Sequence, residues 1–138
     1  MLSSFLRRLI FAREFSAMDG RIEMLGAPKV MLPADILFEL NNERIYSVCR
    51  NSAYSYMEKL KERKDTKDKD VLTFVKGIYE SYGLGLLVIE GDGDKIRLKD
   101  YPENSEYIVS GILSGLLSSY CGKDMNIGHE ELNEGIFL

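Results

Sequence analysis

The stretch "YIVSGILSGLLSSYCGKD", residues 107 to 124, carries no charge between Glu106 and Lys123 and places Gly111 and Gly115 four residues apart. A segment this apolar has to be covered, by lipid, by a core or by another surface. Its uncharged part, Tyr107 to Gly122, is shorter than the roughly 20 residues a membrane span requires, and Ser110, Ser114, Ser118 and Ser119 interrupt it. It therefore reads as a buried or interface helix. Boundary signals agree: Pro102 precedes it, Asn104 or Ser105 supplies the cap, Glu106 lies in the first turn and Gly122 just past the end. Gly111, Ser114, Gly115 and Ser118 fall at i, i+3, i+4 and i+7, a stripe of small residues, while Val109, Ile112, Leu113, Leu116 and Leu117 cover much of the remaining circumference. Two glycines cost a helix about 1 kcal/mol each relative to alanine. Close packing along the stripe is the expected compensation, either against the sheet of the same chain or against the same helix of a second copy across a dimer axis.

The rest of the chain sets the frame for that helix. Its 138 residues suit a single domain, 1–138, with a core large enough to need no metal or disulfide staple. A net charge of -4 argues against a nucleic-acid binder, which carries a basic excess on one face. Cys49 and Cys121 are too few for a disulfide framework and read as reduced thiols of a cytoplasmic protein, although sequence alone leaves one pairing open. The start, "MLSSFLRRLIFAR", places Arg7 and Arg8 where a secretory signal would need an unbroken apolar run.

Periodicity then assigns the elements. Residues 9 to 31 read as strands, with Asp19-Gly20 as a two-residue turn and Ile22 and Met24 alternating with Arg21 and Glu23. Pro33 opens a short helix through "ADILFEL", whose buried side is Ile36, Leu37 and Leu40. Ile45, Val48, Cys49, Ser52, Ala53, Tyr56, Met57 and Leu60 draw one stripe along a longer helix. The segment 59 to 70, "KLKERKDTKDKD", mixes both charge signs and reads as a solvated helix end and loop. Val71, Phe74, Val75, Ile78, Tyr79 and Tyr82 predict a further helix that stops at Gly83. "LGLLVIE" has the continuous apolar character of a central strand, and "KIRLK" pairs with it across the "GDGD" turn with Ile96 and Leu98 inward. The last residues, "MNIGHEELNEGIFL", read as one or two short strands with a turn.

Several chemical motifs fail on spacing. "GDGD" lacks the ligand spacing and closing glutamate of a calcium loop, and "GLGLLV" precedes a strand where a dinucleotide fingerprint must follow one. His129, Glu130 and Glu131 read as a solvated loop rather than a metal site. Cys49 lies on an apolar stripe with no histidine signalled beside it, as a small core residue would. No nucleophile triad surrounds the single histidine, and Glu39, Glu58 and Glu80 occupy helix surfaces, so no enzyme is expected.

Taken in order, the hairpin, the helices, a helix ending in "YGLG", a strand hairpin, the paired glycines of "GILSG", the exit "GKDM" and a final strand leading to "EELNEG" resemble the 4-vinyl reductase domain family, also called hydrocarbon-binding domains. The similarity covers most of the chain and is strongest from 74 to 135. It implies an α+β domain in which an antiparallel sheet packs against about four helices, and which dimerises and in some members encloses a small apolar molecule. In bacterial regulators of aromatic catabolism such a domain senses phenol-like compounds and controls attached output regions. Related folds occur in subunits of the TRAPP vesicle-tethering complex. Many family members bind zinc through cysteines near the glycine-paired helix and around the final strand. Here Glu106 and Glu131 are the nearest equivalents, so the resemblance carries over no metal ligand.

Two functions follow as expectations. The first is a non-enzymatic sensor or binding domain for a small hydrophobic ligand, needing no cofactor, acting as a homodimer and signalling through a separate partner protein. Its candidate pocket is lined by Tyr56, Met57, Phe74, Ile78, Tyr107 and Ile108, aromatic and flexible apolar side chains on helix stripes. Taken singly, each of these residues reads as core, and only the set points to a pocket. The second is an interaction or scaffold subunit like the TRAPP components, in which Gly111, Ser114, Gly115 and Ser118 dock another chain and no small ligand is bound.

Overall fold

The computed structural model describes residues 2–62 and 71–138. Among them, six helices and six strands make an α+β fold with two separate antiparallel sheets. The elements are α1 (Ser4–Phe11), β1 (Phe15–Met18), β2 (Arg21–Met24), β3 (Ala27–Lys29), α2 (Ala34–Phe38), α3 (Glu43–Lys61), α4 (Val71–Ser81), β4 (Leu86–Glu90), β5 (Lys95–Lys99), α5 (Glu106–Cys121), α6 (His129–Glu134) and β6 (Ile136–Phe137). One sheet runs β1-β2-β3 and the other β4-β5-β6.

The central helix α5 is where the sequence pattern predicts it. Its fully buried residues include Val109, Leu113, Leu116 and Leu117, which together with Met57 of α3 and Val75, Ile78 and Tyr79 of α4 form the middle of the core. The small-residue stripe faces α3 of the same chain. A methyl group added at Gly111 would lie 2.6 Å from the Tyr46 carbonyl oxygen and 2.9 Å from Cys49 Cβ. One added at Gly115 would run into the Arg50 carbonyl and lie 2.8 Å from Ala53 Cβ. The stripe thus brings two helix backbones together, and the surface it meets is a helix, not the sheet.

The N-terminal sheet is two successive tight turns. Asp19-Gly20 and Leu25-Gly26 all have positive φ, from 52° to 79°, the backbone twist that joins adjacent antiparallel strands through two residues. The registers Met18↔Arg21 and Met24↔Ala27 close directly on them. Residues 9 to 14, expected as strand, are instead the end of α1 and its exit. Ser3 accepts the Leu6 N–H at 3.2 Å, and Phe5, Leu6 and Leu9 share the face that packs on the core, a helical spacing.

Further differences have local causes. Helix α2 is barely one turn, so Leu37 and Phe38 reach the core while Ile36 and Leu40 stay about half exposed. On α3, Ala53, Tyr56, Met57 and Leu60 are buried and Ile45 and Cys49 half-buried, whereas Val48 and Ser52 lie beyond the strip that α5 covers and remain exposed. Strand β4 is an edge, because β5 takes the centre by pairing with β4 on one side and β6 on the other. The segment 129 to 134 is helix α6 rather than strand: the Glu131 carboxylate folds back to accept the Gly128 N–H at 3.0 Å, and Leu132 turns inward. Most of the charged segment 59 to 70, from 63 on, lies outside the described residues.

The α3–α5 contact generates a direct test. Gly115→Ala should destabilise the protein by about 1–3 kcal/mol through overpacking, even though alanine is the better helix former. The midpoint of urea denaturation reads this; an unchanged or raised midpoint would show that the helices have room to spare.

Candidate functional site

The cleft that combines aromatic walls with polar tips lies between the N-terminal halves of α3 and α5 and the turn into α6. It has a volume of about 620 Å³ and is lined by Tyr46, Tyr107, Ser110, Ile127, His129 and Glu131, among others. Each wall is fixed by a separate device. Tyr107 stands in the first turn of α5, whose N-cap Ser105 turns its hydroxyl back to the Pro102 carbonyl at 2.5 Å instead of capping the helix. The open N–H of Tyr107 is taken by the Asn41 side-chain oxygen at 2.9 Å, while the Asn41 amide donates to Glu106 at 3.1 Å. A residue from the α2–α3 connection therefore caps α5 and sets the position of Tyr107.

The opposite wall depends on the serines of the stripe. Ser114 Oγ donates to the Met125 carbonyl at 2.5 Å and accepts Arg50 Nε at 3.1 Å, and Ser118 Oγ accepts the Met125 N–H at 2.9 Å. Both backbone groups of Met125 are thus held by α5, and Arg50 also pairs with Asp124. This clamps the chain just before Asn126, Ile127 and Gly128, all of which line the cleft. Tyr46 Oη donates to Asn126 Oδ1 at 3.1 Å, and the His129 ring meets Tyr107 edge to face with centroids 5.1 Å apart.

The six side chains expected to line a pocket are not gathered in one place. Tyr107 lines this cleft, and Tyr56 lines another. Met57 and Ile78 are wholly buried and Ile108 nearly so, all as core. Phe74 packs edge to face on Phe5, with ring centroids 5.9 Å apart. Tyr46, Asn126, Ile127 and His129 carried no pocket signal in the sequence, because three of them follow α5 in non-periodic chain and Tyr46 sits at the margin of the α3 stripe. Glu106 and Glu131 are engaged by Asn41 and by the Gly128 N–H, and among the described residues no group of three or more His, Cys, Asp or Glu side chains could hold a metal ion. Cys49 and Cys121 are unpaired, and burial raises both thiol pKa values, the opposite of an activated nucleophile.

Tyr56 belongs to a second cleft, of about 450 Å³, between α3 and the β2–β3 turn. Its hydroxyl donates to the Met24 carbonyl at 2.7 Å, tying the N-terminal sheet to α3. Lys29 Nζ lies 3.9 Å from the centre of its ring and donates to Tyr82 Oη at 3.3 Å. Burial lowers the Lys29 pKa from the ordinary lysine value.

The fold defined by these elements is α+β, and it has a counterpart among solved structures. Compared with solved structures, the chain is similar to the phenol-responsive sensory domain of the transcription activator PoxR, determined with phenol, at a TM-score of 0.62 and 17% identity over 89% of this chain and 81% of that one. At that identity the likeness is one of fold. No family model and no curated protein sequence matches the chain. Among the described residues no helix is long and apolar enough to cross a membrane.

Buried Tyr79 and half-buried Tyr82 make the alkaline limb of stability predictable. Burial pushes the Tyr82 hydroxyl from 10.0 up to about 12, and burial with Glu80 and Tyr101 nearby raises Tyr79 further. In the unfolded chain both ionise near pH 10. Their contribution is therefore complete below about pH 10 and is lost as pH rises toward about 12. Absorbance titration at alkaline pH should resolve late-ionising tyrosines, and Tyr82→Phe should remove one of them; a single class near pH 10 in the folded protein would contradict this burial.

Proposed function

We propose that this chain is a non-enzymatic sensory domain that binds a small hydrophobic, ring-bearing molecule in the cleft between α3, α5 and α6. The observation that carries the reading is the pairing of Tyr46 and Tyr107 in a cleft of about 620 Å³, within a fold shared with a phenol-responsive domain. That volume falls in the usual range for small-molecule sites, roughly 300–1,000 Å³. Ile127 offers an apolar contact, while Ser110, His129 and Glu131 offer polar atoms to a ligand hydroxyl. Among the described residues of the cleft, Ser110 Oγ donates to the Tyr107 carbonyl and the Glu131 carboxylate accepts the Gly128 N–H, so serine, histidine and glutamate are not linked as a catalytic set. A ligand here would act on the turn from 126 to 129 and on α6, and a separate partner protein would receive the signal.

A homodimer belongs to this reading, and one surface favours protein contact, which the scaffold alternative also uses. Val30 and Met31 are 80% and 83% exposed, and Leu32, Ile36 and Leu40 continue the apolar run at about half exposure. Because α3 fills the glycine-serine stripe, we place the contact with a second copy on this run.

Native mass spectrometry of the purified chain, repeated under denaturing conditions, tests both parts. A dimer carrying a mass lost on denaturation is the expected result, and Met31→Asp should shift it toward monomer. Phenol titrated into ligand-free protein should bind saturably, and Tyr107→Ala should weaken it about tenfold or more through loss of the aromatic wall. A dimer without extra mass that takes up no phenol would favour the scaffold function.

A further inference from the structure

We infer that the cleft between α3 and the β2–β3 turn is a second binding site, built for a small organic carboxylate. Ser52, Ser55, Tyr56 and Lys59 fall at i, i+3, i+4 and i+7 of α3 and present one face to it, and Leu25 to Lys29 form the other side. Among the described residues the lining holds two lysines and two serine hydroxyls and neither aspartate nor glutamate. In a chain of net charge -4 this is a local reversal of sign.

Lys29 gives the reversal its chemistry. Its ammonium is half-buried, placed by the Tyr56 ring, with the Tyr82 ring centre 5.0 Å away and the Tyr82 hydroxyl accepting one of its protons. Cation–π contacts and a neutral hydroxyl hold the amine in position, and no carboxylate among the described residues compensates its charge. Among the described residues the ion pairs join Arg50 to Asp124, Lys61 to Glu58, Lys76 to Glu80 and Lys95 and Arg97 to Glu90, and none includes Lys29. Burial lowers the Lys29 pKa, as expected of a cation whose water has been replaced without a counter-charge. A ligand carboxylate would supply that charge, and the Lys59 ammonium and the serine hydroxyls add donors for its second oxygen. Leu25, Ala27, Pro28 and Leu60 leave an apolar wall for the rest of the molecule, which an inorganic anion would not cover.

Amide NMR of the full chain, with benzoate as probe and benzamide as its neutral counterpart, tests this site independently of the Tyr46–Tyr107 cleft. Benzoate should saturably shift the amides of Gly26, Ser52 and Ser55, leave those of Tyr107 and Ser110 in place, and bind at least about tenfold more tightly than benzamide, as a charge-assisted bond requires. Lys29→Gln should erase that preference and Lys59→Gln reduce it, with the second variant decisive if the first fails to fold. Equal binding of benzamide, shifts confined to Tyr107 and Ser110, no saturable shift at millimolar benzoate, or full benzoate preference in the folded lysine variants would each overturn the assignment.

Discussion

The close contact between α3 and α5 is the interaction on which the other features rest. Glycine at 111 and 115 lets the α5 backbone approach the carbonyls of Tyr46 and Arg50, and the two glycines forgo about 2 kcal/mol of helix preference to do so. That approach brings the serines of the same stripe to the edge of the contact, where Ser114 reaches both Arg50 and Met125 and Ser118 reaches Met125. Were the helices further apart, Ser114 would lose its bond from Arg50, while the two bonds to Met125 are made by α5 to its own exit. The α5 serines thus set the start of the turn that carries Ile127 and His129, and the glycines set how closely α3 faces it.

Polar groups in this core are spent on joining elements rather than on chemistry. Asn41 caps α5 from outside the helix, Tyr56 joins α3 to the Met24 carbonyl, Tyr79 reaches the Leu84 carbonyl at 2.7 Å, and Ser119 holds Glu58 at 2.9 Å. Among the described residues no buried side-chain nitrogen or oxygen lacks a partner. Each bond contributes only about 1 kcal/mol net, but leaving one partner buried and alone costs more, so together they fix a unique arrangement of the layers.

The long helices were legible in the sequence because their apolar residues recur over several turns, and the hairpins because Asp19-Gly20 and "GDGD" have turn chemistry of their own. Helices α1 and α6 were not, since at eight and six residues they offer too few turns for the period to declare itself. The glycine stripe announced close packing, but its partner could not be read, because the small α3 residues it meets, Cys49 and Ala53, lie in a stripe that also holds Tyr56 and Met57, and much of the contact is with α3 backbone. The candidate clefts were less legible still. Apolar stripes mark what is buried, and Met57, Ile78 and Ile108 are buried; a cleft is lined by residues at the margins of stripes and in turns, such as Tyr46, Lys29 and His129, which only the tertiary arrangement brings together.

Helix α3 lines both clefts, Tyr46 near its start and Lys59 near its end, about 20 Å apart at the helical rise. The grip of Gly111 and Gly115 falls at this helix's first half, between Tyr46 and Tyr54. Sliding α3 along α5 would drive carbonyls and Cβ atoms into the α5 backbone, so the helix is a fixed member rather than a moving one. A ligand in the proposed first cleft would therefore act on the turn from 126 to 129 and on α6, which follow the held Met125. One in the proposed second cleft would act on the N-terminal sheet, which the Tyr56–Met24 bond and Lys29 attach to α3. The two proposed sites share α3 as a scaffold, and each is closed on its other side by a different part of the fold.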